Sequence, residues 1–373
     1  MTEALQDRFA KWQRNAWIVG AIGFIAWAIG ILFARHTAFQ SYWFAWIYWS
    51  GLGFGALSIL LTHLLSGGAW GEAVRPSIKA ATLTIPLMAL LMIPVFFSMG
   101  DVFPWANPHG LAESALHKRA YLTVPWFIVR AVFYFVILGF LAKLLRERVD
   151  TPAERTVGPA SGAGIVGYAL CMLFASTDWV MSLEPRWFST MLVVIVMAWQ
   201  FLAALALSVI IVTALARAGF PVTQKQLHDL GNLLLAFVIF WTYVSFVQFL
   251  IIWSGNLPRE ISWYLSRSAG GWQYAVIALA MLQFALPFFL LLSRARKRHP
   301  QRLLPIAVLI FATSVLNVFW LVVPSFRPTG FRVQWLDIVA FVGIGGLWIG
   351  TFLRFSKGQL LVELPVSKEV TRG

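Results

Sequence analysis

Apolar runs fill most of this chain, at about 15–34, 43–66, 78–99, 120–142, 162–183, 187–214, 230–253, 271–293, 303–323 and 334–354, with polar residues gathered between them. Each run approaches the roughly 20 residues that a helix needs to cross a hydrocarbon core. No water is present there to satisfy backbone N–H and C=O groups, so each run is expected to be a helix. The pattern predicts an all-α integral membrane protein with about ten transmembrane helices.

The connections are short. The longest lie at about 100–119 and 143–161. The second carries Thr151-Pro152-Ala153-Glu154 and Gly158-Pro159-Ala160-Ser161-Gly162-Ala163-Gly164 and reads as a linker. A weak repeat agrees with a division there, because Trp43-Phe44 opens the second run and Trp187-Phe188 the sixth. A shift of four helices keeps orientation, so the repeat would be parallel and would give two four-helix bundles. The expected organisation is a leader and first helix over 1–42, a first bundle over 43–185, a second over 186–323, and a last helix with its tail over 324–373.

Charge changes the picture by adding direction. The net charge is +14, yet charged residues make up only 12% of the chain and hydrophobic ones 60%. Of the 29 Lys and Arg, 20 fall on the side of the N-terminal leader, 8 on the opposite side, and Arg130 lies within a run. The positive-inside rule then makes both termini cytoplasmic. Nucleic acid is rejected as a partner, since no solvated basic domain exists to carry a footprint. The first run is too long for a cleaved signal peptide, has no small-residue cleavage site, and is followed by further runs. The one cysteine, Cys171, lies mid-run and offers no disulfide frame, cluster ligand set or thiolate zinc site.

Ionisable groups within a membrane are costly, so each is a candidate functional residue. Arg130 lies near the middle of the fourth run and Asp178 in the outer part of the fifth. By helical rise they sit roughly 15 Å and 8 Å from the outer boundary, a difference that a snorkelling guanidinium can span. A structural ion pair and a proton-relay or ligand role both stay open for them. His63, toward the inner end of the second run, reads either as an interhelical hydrogen-bonded histidine or as part of a proton path. Asp337, at the outer start of the last run, reads as a helix cap at a wet boundary or as a functional acid. The amides Gln200, Gln248, Gln283 and Asn317 are expected to tie helices together. A transmembrane b-type haem would need facing histidines, and of six only His63 falls inside a run. No phosphate loop, nucleophile elbow or zinc-protease pair occurs.

The outer connections are the chemically richer ones. They hold Asp101, His109, Glu113 and His117, then Leu183-Glu184-Pro185-Arg186-Trp187, Asn256-Leu257-Pro258-Arg259-Glu260 and Pro324-Ser325-Phe326-Arg327-Pro328. Such loops suit a protein partner or a headgroup-level site.

Several of these stretches resemble a family. Asp178-Trp179-Val180-Met181-Ser182-Leu183-Glu184-Pro185-Arg186-Trp187-Phe188-Ser189-Thr190 is similar to the signature of the quinone-type membrane subunits of alternative complex III, related to the polysulfide reductase membrane anchors. So are Asp229-Leu230-Gly231-Asn232-Leu233-Leu234, Trp253-Ser254-Gly255-Asn256-Leu257-Pro258-Arg259-Glu260, and Pro287-Phe288-Phe289-Leu290-Leu291-Leu292 with Arg296-Lys297-Arg298-His299-Pro300. His63 with Gly67-Gly68-Ala69-Trp70-Gly71, and Trp335-Leu336-Asp337, resemble the F subunit more than the C subunit.

The resemblance implies a non-haem, multi-pass subunit in the inner membrane of a bacterium. It would belong to a quinol:cytochrome c or quinol:acceptor oxidoreductase and would not be a stand-alone enzyme. Its partners would be periplasmic iron–sulfur and c-type haem subunits, together with membrane lipid. No catalytic residue, metal or covalently bound cofactor is expected in this chain. Quinol oxidation is assigned to the C subunit, and a quinone site here stays open. A proton path would run through His63, Arg130, Asp178, and then Glu184 or Asp337. Asn317 stands where the family pattern leads us to expect an acid, which weakens a proton role for the ninth run. Two other readings remain: a secondary transporter using Arg130 and Asp178, and a purely structural anchor.

Overall fold

The computed structural model describes residues 3–107, 118, 120–150 and 159–363; His109, Glu113, His117 and the 151–158 part of the linker lie outside them. In chain order the helices are α1 (Glu3–Ser66), α2 (Ala69–Thr82), α3 (Ile85–Leu90), α4 (Ile93–Phe96), α5 (Met99–Val102), α6 (Val124–Asp150), α7 (Pro159–Trp179), α8 (Thr190–Arg217) and α9 (Gln224–Gly255). They continue with α10 (Pro258–Leu265), α11 (Trp272–Ala278), α12 (Leu286–Leu292), α13 (Arg294–Arg298), α14 (Pro300–Val322) and α15 (Trp335–Glu363). No strand occurs among the described residues.

Nine helical stretches among the described residues are long and apolar enough to cross a membrane, so this is a multi-pass membrane protein by length and hydropathy. The sequence suggests about ten. The difference lies in α1, whose stretch Asp7–Ser66 is 60 residues long. Ala34 leaves helical geometry there, with φ −151° and ψ 62°. The indole of Trp27 donates to the Ala38 carbonyl at 2.8 Å, and the rings of Phe24 and Tyr42 lie 6.3 Å apart. A straight helix would hold residues 24 and 42 about 27 Å apart. The chain therefore reverses at Ala34, and α1 is two antiparallel arms with almost no connection between them.

The stretch Ala69–Phe96 begins earlier than the predicted 78 and is broken into α2, α3 and α4. Pro86 and Pro94 open α3 and α4, where the missing N–H is harmless, and each breaks the ladder before it. Between α11 and α12, residues Leu279–Ala285 form a π-helical segment. Pro287 has no N–H to offer the Gln283 carbonyl, which favours the wider turn just before it.

The second arm of α1 is the centre of the molecule, with Tyr42, Trp43, Trp46, Tyr48 and Phe54 fully buried. The first arm packs on α15 through glycines: a Cβ on Gly346 would lie 2.5 Å from the Gly20 Cα, and one on Gly23 would lie 2.7 Å from the Gly343 Cα. Backbones approach this closely only where both helices present small residues. The helix order sorts the connections into two sets. One end carries the Ala34 turn and the segments around 97–107, 120–123, 184–189, 256–271 and 326–334, and we call it the loop end. The other, the terminal end, carries the segments around 67–68, 218–223 and 293–299.

Candidate functional site

The loop end gathers the buried charges Asp178, Arg267 and Asp337. Arg130 on α6 reaches Asp178 on α7 with two parallel bonds, Nε to Oδ2 at 2.8 Å and Nη2 to Oδ1 at 2.9 Å. Asp178 is 1% exposed, and the Tyr134 hydroxyl also donates to its Oδ2 at 2.7 Å. Arg130 gives its remaining Nη1 to the Tyr121 carbonyl at 3.0 Å, and its guanidinium stacks 3.8 Å from the Tyr121 ring centre. Burial, with the Asp178 charge adding, pushes the Tyr121 hydroxyl up to about 12. A fork of donors against a carboxylate is the strongest form of this contact.

Glu184 follows the short turn Met181–Leu183 that ends α7. Its Oε1 accepts from Arg267 Nη1 and from the Ser325 hydroxyl, each at 2.7 Å. Arg267 is 1% exposed, donates to the Leu321 carbonyl at 3.0 Å, and lies 3.8 Å over the ring of Trp263. One carboxylate thus joins the α7–α8 loop, the α10–α11 loop and the end of α14.

Asp337 stands on the first turn of α15, where its Oδ2 accepts from the Gln334 backbone N–H at 2.7 Å and so caps the helix. It is not at a wet boundary. It is 2% exposed and paired with Arg327, Nη1 to Oδ2 at 2.7 Å and Nη2 to Oδ1 at 2.9 Å, and Ser41 donates to Oδ1 at 2.6 Å. A fourth pair, Arg35 with Asp101 at 2.9 Å, is exposed.

His63 lies apart from these, in the last turn of α1 at the terminal end. The edge of Trp70 meets it with ring centres 5.2 Å apart, and a Cβ on Gly71 would overlap the imidazole. It borders a cleft of ≈ 360 Å³ with Gly67, Gly68, Glu72 and Arg75. Nearby in depth, Lys297 is buried and donates to Asn232 Oδ1 at 2.6 Å across the face opened by Gly231. Burial lowers the Lys297 ammonium below the usual lysine range.

Of the five candidates, the fold brings Arg130 and Asp178 together. Glu184 and Asp337 each sit in a separate pair, and His63 is at the opposite end. Sequence reasoning missed their partners, Arg267 and Arg327, because both fall in connections and read only as loop charges. The one available signal was that Arg267 follows Trp263 by a helical turn.

The four resembling stretches meet in twos. At the loop end, Trp187 donates its indole N–H to the Glu260 carbonyl at 3.1 Å, Arg259 Nε donates to the Arg186 carbonyl at 2.6 Å, and Trp187 stacks on Trp263 at 4.9 Å. At the terminal end, Lys297 joins the 229–234 stretch to the 296–300 stretch.

An apolar cavity of ≈ 350 Å³ lies between α9, α10, the π-helical segment and α14, lined by Trp241, Trp263, Tyr264, Trp320, Gln248 and Asn317 among others. Gln248 is tied to the Ser189 hydroxyl at 3.1 Å and the Tyr264 hydroxyl at 3.3 Å. Burial pushes the Tyr264 hydroxyl up to about 12. Among the described residues no three His, Cys, Asp or Glu side chains converge as metal ligands. No protein-family model matches the sequence, and no curated protein matches it.

Proposed function

We propose that this chain is the F-like, non-haem membrane subunit of a bacterial quinol:cytochrome c or quinol:acceptor oxidoreductase of the alternative complex III type. In this reading the two arms of α1 and the eight further stretches make ten crossings of the inner membrane. They form two four-helix bundles with flanking helices, both termini are cytoplasmic, and the loop end faces the periplasm. The observation that carries the reading is the meeting of the resembling stretches in twos. Residues 178–190 and 253–260 interlock at the loop end, and 229–234 and 296–300 interlock at the terminal end. Sequences placed so far apart share no local reason to resemble one family and also to complement each other.

The loop end suits the docking of periplasmic redox subunits physically. Its segments are fixed to each other by buried charge pairs, so a partner meets a surface that needs little ordering. Proton movement is the second part of the proposal. His63 would serve the cytoplasmic half, Arg130 and Asp178 the interior, and Glu184 or Asp337 the exit. Each of the three carboxylates is held by arginine, so a proton could pass only when a pair opens, or through Tyr134 at Asp178.

Purification of the tagged chain from its native membrane tests the main reading. We expect c-type haem and iron–sulfur subunits to co-elute with quinol:cytochrome c activity. A stable, active transporter eluting alone would overturn it. For the proton path, Asp178→Asn is expected to lower proton release per quinol oxidised in an assembled complex. Unchanged turnover and unchanged proton release would end that part.

A further inference from the structure

The basic residues of the loop end differ in their partners. Arg35, Arg130, Arg267 and Arg327 each meet a carboxylate at 2.7–2.9 Å. Lys118 and Arg259 do not. Lys118 Nζ donates to the carbonyls of Pro185 at 2.8 Å and Trp187 at 3.3 Å, and Arg259 Nε donates to the Arg186 carbonyl. Both cations lie 5.6 Å from the centre of the same ring, Phe188. Phe188 is 51% exposed, and the neighbouring Arg186 is also exposed. Among the described residues none of the three cations is in an ion pair, including with Glu260, the residue after Arg259.

These groups stand beyond the ends of the spans Ser161–Leu183, Thr190–Arg217 and Gln224–Gly255. Among the described residues, three positive charges with no ion-pair partner thus stand around an exposed aromatic ring, on the side where basic residues are few. Bonds to backbone carbonyls fix Lys118 and Arg259 in position, so the arrangement is preformed. An apolar centre within a charged rim is the usual anatomy of a protein–protein contact, in which a buried aromatic anchors the interface. A protein segment with acidic groups around an apolar side chain would meet the cations and the ring together. Uncompensated cations select a partner of opposite sign and repel one of like sign.

The geometry points to Lys118, Arg186, Phe188 and Arg259 as a docking surface for an acidic segment, carrying an apolar side chain, on a periplasmic redox subunit of the same complex. This rests on the proposed function for the existence and location of that subunit.

The test uses the whole complex purified by a tag on this chain, with retained c-type haem measured against salt concentration. Arg186→Glu and Phe188→Ala are the variants, since the bonds that fix Lys118 and Arg259 go to backbone carbonyls and use neither side chain. The unfolding temperature of each variant checks that it folds. The expected result is that Arg186→Glu weakens haem retention at least about tenfold, that Arg186→Lys restores it, and that Phe188→Ala is intermediate. Wild-type retention should fall with salt as screening grows. Folded variants that retain haem as the wild type does would overturn the docking surface and leave the proposed function standing. A wild-type preparation without c-type haem at low salt would overturn both. Loss of bound anionic phospholipid with unchanged haem would also overturn the inference, making the patch a lipid site.

Discussion

The two ends of the molecule use charge in opposite ways. Basic residues are sparse at the loop end, yet Arg267 is buried, Arg130 and Arg327 are half-buried, and each is forked onto, or closely bonded to, a carboxylate. At the terminal end they are abundant. There Glu72 lies 3.9 Å from Arg75 and is half exposed, and Lys297 leans on the uncharged amide of Asn232. Many charges at one end orient a chain in a bilayer, an effect that needs no partner. A few charges taken out of water at the other end must be paired, and pairing joins segments distant in sequence.

Removing a partner at the loop end should give the largest effect. Arg267→Ala leaves the Glu184 carboxylate with only the Ser325 hydroxyl and no positive partner, and the Leu321 carbonyl without its side-chain donor, and we expect a loss of about 3–5 kcal/mol in unfolding free energy, measured by denaturation in detergent. Replacing Arg267 and Glu184 together with Met should recover most of that loss, because no uncompensated charge remains. A double variant as unstable as the single one would refute pairing as the reason. At the terminal end the matching disruption is steric. Gly71→Ala drives a methyl into the His63 ring, an overpacking worth about 1–3 kcal/mol in the same measurement.

The exposed pair at the loop end should behave unlike its buried neighbours. Asp101→Asn is expected to change stability by no more than about 1 kcal/mol, with the difference shrinking as salt is raised. The smallest signal concerns Lys297. Its ammonium is lowered in the folded chain by burial, so the unfolded chain binds more protons between that lowered value and 10.5. Stability should therefore rise with pH across that window, and Lys297→Met should abolish this rise. An equal pH dependence in the variant would assign the rise to other groups.

Much of the fold was legible because hydrophobic length alone marks a crossing. The ion pair of Arg130 with Asp178 was legible too, since helical rise assigns a depth to each residue and only nearby depths can pair. Depth reasoning stops at the helix ends. Arg267 and Arg327 lie in connections, where no period says which side chain turns inward, so the burial of Arg267 and the pairing of Arg327 could not be read. Asp337 showed the same limit: its capping position was readable, but the return of Arg327 to cover it depends on the path of the 326–334 loop. The break at Ala34 was legible, since the first apolar run ends there, but the tightness of the reversal was not, because Phe33 to Gln40 include neither the Gly nor the Pro that usually announce a turn. Trp27 and Tyr42 hold the reversal from inside the hairpin.

The glycine contact between the first arm and α15 has a consequence for how the molecule is made. Gly20 meets Gly346 across 326 residues of chain. During synthesis the first arm enters the bilayer long before its partner exists, with Ile18, Val19, Ile22 and Ile25 suited to lipid and its glycine face uncovered. That face stays open until α15 arrives, so insertion begins at one side of this seam and assembly closes at the other. A chain interrupted before Gly346 would leave a small-residue face exposed in the membrane, available to any helix able to approach as closely.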